Sequence, residues 1–218
     1  MTYTLYGSRG SGSAAIEIAL RVSGLPYRQV RASSWESDSA IEELSRINPL
    51  CQIPTLLLPD GTVLTESAAI LIHLGLVAPQ SILLPRSASH RAQAIRGLVF
   101  IAANCYCAIS INDYPQRWTT ATTKSSQEKV RQGARRQLHK NWEIFSDIFL
   151  ATPYLSGNNP GALDFLAVVV SKWAGTRAHL SKNRPRFLKV LEKIQTHESV
   201  APVFSEHWEG PVLRVEDI

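Results

Sequence analysis

The stretch NPLCQIPTLLLPDGTVLTESAAI, residues 48–70, carries two helix boundaries and a hairpin in 23 residues. Asn48-Pro49 ends the helical pattern "SAIEELSRI", because the residue before a proline is pushed out of the helical region. In "TLLLPDGTVLTE", two short apolar strands flank Pro59-Asp60-Gly61. Proline presets the turn, aspartate bonds its own backbone two residues on, and glycine accepts a positive φ. Glu66-Ser67 then opens the helix "SAAILIHLGLV", with Ser67 as its expected N-cap.

Working back toward the N-terminus, "YTLY" reads as a strand and Ser13 to Val22 as a helix with a serine available as N-cap. Gly24 stops that helix, and "LPYRQVRA" follows as a second strand. The order is βαβαββα. Within "YTLYGSRGSGSAAIEIAL", residues 3–20, Gly10-x-Gly12-x-x-Ala15 fits the dinucleotide fingerprint. The hairpin weakens that reading, since a Rossmann half needs parallel strands joined by crossover helices. The acidic residue expected about twenty positions past the glycines is also poorly supplied; Gln29, Arg31 and Ala32 occupy the end of the second strand.

Toward the C-terminus the chain is expected to be helical from about residue 88. In "EKVRQGARRQLHKNWEIFSDIFL", Val130, Ala134, Leu138, Trp142 and Phe145 form one stripe. "ALDFLAVVVSKW" is apolar almost all round and is expected at the centre of a bundle. Charge divides the same way. Residues 1–80 carry five Arg and no Lys against seven acids, a net of −2, while residues 81–218 carry eighteen bases against eleven acids, a net of +7. The expected organisation is an N-terminal unit over 1–78, a linker over 79–87 and an all-helical unit over 88–218.

The 218 residues, 44% hydrophobic and 19% charged, suit one large domain or two smaller ones sharing a core. The N-terminus lacks a charged lead and a long apolar run, and the apolar run Leu163 to Val170 is interrupted by Asp164 and too short to span a bilayer. Cytoplasmic location and no membrane partner are the expectations. Cys51, Cys105 and Cys107 are too few for a disulfide framework and have no second pair or His cluster nearby, so no metal is expected. The basic run from Lys124 to Lys140 has no interleaved aromatic platform, so it reads as a solvated helix face rather than a nucleic-acid surface.

A βαβαββα unit followed by helices resembles the glutathione S-transferase family, and residues 48–70 are similar to its Asn-Pro-x-x-x-Val/Ile-Pro-x-Leu … Asp-Gly … Leu-x-Glu-Ser-x-Ala-Ile pattern. "YLSGNNPGALDFLAVVVSKW", residues 154–173, resembles the family's second signature, a buried helix with Asp at its start. The resemblance implies an α/β plus all-α fold, with a thioredoxin-like domain joined to a helical bundle. It implies glutathione as co-substrate, a small electrophile as second substrate, and a homodimer. A cis Ile53–Pro54 bond would leave the Ile53 backbone free to pair with the peptide, with Gln52 as a further polar contact. The helix N-terminus at Ser67 and the Glu66 side chain would hold the γ-glutamyl carboxylate and ammonium.

By the same resemblance, the loop after the first strand would hold the thiol-activating hydroxyl. Ser11 and Ser13 are the candidates, ahead of Tyr6; Gly12 stands where a bacterial branch keeps a cysteine. A thiol is mostly protonated at neutral pH, so a hydroxyl donor that stabilises the thiolate raises its reactivity. Asn104, Tyr106 and Trp118 are candidates for the electrophile pocket, and Asp164 is read as structural, half of a capping box. Two other classes stand beside this one: a non-catalytic binding or regulatory protein of the same fold, and a glutathione-dependent disulfide reductase.

Overall fold

The computed structural model describes residues 2–78 and 80–209. Pro79 and residues 210–218 lie outside the described residues, and with them the first position of the expected linker and the end of the expected helical unit. The chain begins β1 (Tyr3–Gly7), α1 (Ser13–Val22), β2 (Tyr27–Arg31), α2 (Ile41–Ile47), β3 (Thr55–Leu57), β4 (Val63–Leu64) and α3 (Ser67–Val77). The sheet order is β2-β1-β3-β4. β1 runs parallel to β2, with Leu5 opposite Gln29, and antiparallel to β3, with Leu5 opposite Leu56. This is the thioredoxin-like arrangement, and a dinucleotide-type parallel sheet is absent from the described residues. The β3–β4 turn follows its chemistry: Thr62 N–H donates to Asp60 Oδ1 at 2.9 Å and Gly61 takes φ +90°.

A helical region follows: α4 (Ala88–Phe100), a π-helical segment (Ile101–Tyr106), α5 (Cys107–Asp113), a 3₁₀ turn (Pro115–Arg117) and α6 (Lys124–Phe149). Then come α7 (Ala162–Val170), α8 (Thr176–Asn183), α9 (Pro185–Gln195) and α10 (Ala201–Trp208). Residues 88–113 are long and apolar enough to cross a membrane by length and composition. Their apolar side chains Leu98, Ile101, Cys105 and Ile109 are buried in the protein core. On α6, Ala134, Leu138, Trp142, Phe145 and Phe149 form the buried stripe, while Lys129, Arg135, Arg136 and Lys140 face solvent.

All nine residues of α7 are buried, and the hydrophobic core runs without a break from Leu5 on β1 through α1, α3 and α7 to Phe204 on α10. An apolar surface on every side of a helix requires neighbours on every side, which is why α7 lies at the centre. Asp164 anchors its start. The carboxylate is fully buried and accepts from Leu155 N–H at 2.7 Å, Ser156 N–H at 2.9 Å and Gly161 N–H at 3.0 Å. Burial pushes its pKa up, while these donors pull against that rise. The segment between α3 and α4 is stitched to the same place by Ala162 N–H donating to Leu83 O at 2.9 Å.

The two expected serine caps sit one position inside their helices. Gly12 is the N-cap of α1 and Glu66 that of α3, with no side-chain cap bond at either. At α3 the chain turns through Glu66 at φ +66°, so Ser67 is already the first helical residue.

Candidate functional site

A cavity of about 690 Å³ opens between the loops at one end of the sheet and the helices from α4 to α5, within the size range of small-molecule sites. Three segments of the first eighty residues form one wall: Gly10 to Gly12, Asn48 to Pro54, and Thr65 to Ser67. Ala102, Ala103, Tyr106, Cys107, Ile109, Ser110, Tyr114 and Trp173 form the other, with Trp35 also lining the cavity.

The loop after β1 is held from within and from behind. Ser11 Oγ donates to Ser8 O at 2.7 Å, Ser13 Oγ to the same oxygen at 3.2 Å, and the two hydroxyl oxygens lie 2.8 Å apart. From behind, Gly10 N–H donates to His207 Nδ1 at 3.2 Å. With Nδ1 accepting, Nε2 carries the proton and donates to Glu17 Oε2 at 2.9 Å. Arg21 and Tyr27 donate to Glu17 Oε1 at 2.6 and 2.9 Å, and Gln29 Nε2 donates to Oε2 at 3.4 Å. Burial opposes the charge on Glu17, but the bonds from His207, Tyr27 and Arg21 outweigh it and hold the pKa below 4.5.

Buried Asn48 braces the second loop. Its amide donates to Gln52 O at 3.0 Å and Thr55 Oγ1 at 2.9 Å, while its Oδ1 accepts from Leu50 N–H at 3.1 Å. The Ile53–Pro54 bond is cis, and among the described residues the Ile53 N–H and C=O have no hydrogen-bond partner. Gln52 is exposed at the rim. Beside this loop the N-terminus of α3 presents its first-turn N–H groups, with buried Ser67 at the first position and exposed Glu66 next to it.

On the opposite wall the helix passes through the π-helical segment, a distortion found mostly at functional sites, and Tyr106 closes it. The Tyr106 ring packs against Trp173 with centroids 5.9 Å apart, and the Arg117 guanidinium lies 4.1 Å over the Tyr114 ring. Cys51 and Cys107 are free thiols on the cavity lining, whereas Cys105 is buried and its thiol is pushed well up by desolvation.

Ser11, Gln52, Ile53, Pro54, Glu66, Ser67 and Tyr106 therefore come together around one cavity. Ser13 is fully buried behind Ser11. Asn104 is exposed and donates back to Phe100 O, and Trp118 is 53% exposed; neither is among the described residues lining the cavity. Tyr6 points away, donating to Glu43 Oε1 at 2.6 Å. Trp35, Asn48, Tyr114, Arg117 and Trp173 were not foreseen from the sequence. Of these, Asn48 alone had a local signal, the Asn-Pro pair that begins the loop.

Residues 13–75 match the family model of the glutathione S-transferase N-terminal domain. YncG of Escherichia coli K12, an uncharacterised GST-like protein, is 31% identical over 171 residues, covering 78% of this chain and 80% of that protein. The glutathione S-transferase GstA of Escherichia coli O157:H7 is 26% identical over 172 residues, 78% of this chain and 81% of its own. A solved structure of a glutathione transferase homologue from Sulfitobacter, with bound glutathione, superposes with a TM-score of 0.81 at 26% identity, covering 94% of this chain and 98% of that one. Sequence, fold and relatives agree: the chain belongs to the glutathione S-transferase family.

Proposed function

We propose that the cavity binds glutathione and that its thiolate attacks a small electrophile, which the facing wall of helices receives. The observation that carries this reading is the convergence on one wall of an unpartnered Ile53 backbone and the first turn of α3 beside Glu66. An extended cysteinyl unit fits the first as an added strand, and a γ-glutamyl group, carboxylate and ammonium together, fits the second. The sulfur then lies toward Gly10 to Gly12. The thiol proton goes to solvent, the sulfur pair forms the C–S bond, and the electrophile's leaving group departs with its own pair. The boundaries 1–78, 79–87 and 88–218, a cytoplasmic location and pairing of two copies belong to the same reading. Exposed Leu76, Val77 and Val99 on α3 and α4 support that pairing.

The test is thermal melting across a glutathione titration, with cysteinylglycine, which lacks the γ-glutamyl unit, as control. At a hundredfold excess over the dissociation constant, binding adds about 2.7 kcal/mol, a rise of roughly 5–10 °C for a chain of this size. A rise with glutathione alone supports the site. An unchanged midpoint at millimolar glutathione refutes it.

A further inference from the structure

The charged residues on the cavity lining sort to its two walls. Glu66 stands on the wall given to glutathione, beside the first turn of α3. Asp113 and Arg117 stand on the helical wall, at the end of α5 and in the 3₁₀ turn that follows. Among the described residues Arg117 is the one cation on the lining. Its exposed side chain lays the guanidinium 4.1 Å over the Tyr114 ring, and that ring is its one side-chain partner among the described residues. A guanidinium over a ring face is steadied there without using its N–H donors.

Asp113 is answered from behind. Asn112 Nδ2 donates to its Oδ1 at 2.8 Å, and Asn112 itself accepts from Arg131 Nε at 3.1 Å and Arg135 Nε at 3.3 Å. Arg131 is paired with Glu128. The end of α5 thus gathers three guanidiniums against two carboxylates, and the guanidinium turned to the cavity is Arg117. Around it the same wall is flat and apolar, from Ala102, Ala103 and Ile109 to Tyr114 and Trp173. An electrophile that is apolar throughout uses the ring faces but not the fork of donors. One that carries a carboxylate on a flat apolar body uses both.

We infer that Arg117 is a specificity-determining residue and that the second substrate is an anionic electrophile, its carboxylate on Arg117 and its apolar body against Tyr114 and Trp173. The inference rests on the glutathione reading of the cavity and names the class of its partner substrate. Glutathione brings a carboxylate of its own at the glycine end, but Arg117 belongs to the wall that faces the thiol acceptor.

The experiment measures, by calorimetry on the wild type, Arg117→Gln and Arg117→Glu, the affinity for S-(3-carboxybenzyl)- and S-(4-carboxybenzyl)glutathione against their neutral carbamoyl isosteres. In the wild type the better carboxylate should bind about tenfold tighter than its isostere, between the worth of an exposed ion pair and that of a hydrogen bond to a charged group. Added salt should narrow that ratio. Arg117→Gln should abolish it and Arg117→Glu should reverse it. Equal affinities in the wild type, or a preference that survives Arg117→Gln, overturns the proposal. Tighter binding of the S-(4-aminomethylbenzyl) conjugate does the same, since it gives the wall to Asp113. Glutathione against its glycine amide tests the other carboxylate: a preference there that Arg117→Gln abolishes puts the glycine end at Arg117 and also overturns the proposal. Glutathione bound while every conjugate is refused overturns the proposal alone, whereas refusal of glutathione and conjugates together overturns the glutathione reading beneath it.

Discussion

Replacing Asp164 by Asn removes one oxygen acceptor and the charge while keeping the side-chain shape. In the native fold Oδ2 takes Ser156 N–H and Gly161 N–H, and Oδ1 takes Leu155 N–H, all within 3.0 Å. Asparagine can serve the first two with its single oxygen, but then turns an amine toward Leu155 N–H, donor against donor. One orphaned buried N–H costs about 1–3 kcal/mol. Loss of charge assistance on the two remaining bonds costs about 1 kcal/mol each. The sum is about 4 kcal/mol, or a fall of roughly 8–16 °C in the melting midpoint for a protein of this length. Urea unfolding of both proteins, with matched slopes, measures it, and amide exchange at Leu155, Ser156 and Gly161 locates it. A loss below about 1 kcal/mol, or unchanged protection of those amides, would refute the view that this carboxylate anchors α7.

Two glycine substitutions should move stability in opposite directions. A Cβ at Gly97 would stand 2.7 and 2.9 Å from the Leu163 methyls, so Gly97→Ala should cost about 1–3 kcal/mol through overpacking between α4 and α7. A Cβ at Gly133 on α6 meets nothing within 4 Å, so Gly133→Ala should add about 0.5–1 kcal/mol; both are read from denaturant midpoints. The Glu17 network should give a pH signature. Because the folded pKa lies below 4.5, its contribution is fully present above that value and is lost as the pH falls through the folded pKa. The stability deficit of Glu17→Gln, measured by melting across a pH series, should therefore be constant near neutrality and shrink in acid; a deficit independent of pH would count against the Glu17 charge, and the bonds it receives, as its source.

The parts of the fold that were legible are those fixed by neighbouring residues. The Pro59-Asp60-Gly61 turn, the Gly24 helix stop and the stripe from Ala134 to Phe145 each follow from chemistry within a few positions. On the cavity wall from the first eighty residues, Gln52 to Pro54 and Glu66-Ser67 were named through the resemblance of residues 48–70, where they lie at fixed offsets around one hairpin; Trp35 and Asn48 were not. The facing wall was not legible. A π-helical segment adds a residue to the turn, so a 3.6-residue projection from Ala88–Phe100 loses register: Asn104 points outward and Tyr106 inward. Trp118 follows a 3₁₀ turn, where no periodicity predicts its direction. That the Ser11 and Ser13 hydroxyls already bond Ser8 O depends on the path of a loop, which residue types alone do not disclose.

The bond from Gly10 to His207 joins residues 197 positions apart. As the chain leaves the ribosome, the sheet, α1 and α3 have their residues available early, yet the loop beside the cavity waits for α10 before its backbone is pinned. Completion of the cavity's loop is thus tied to a segment synthesised 197 residues after it, and a nascent chain halted between the two would carry a sheet with an unfinished loop.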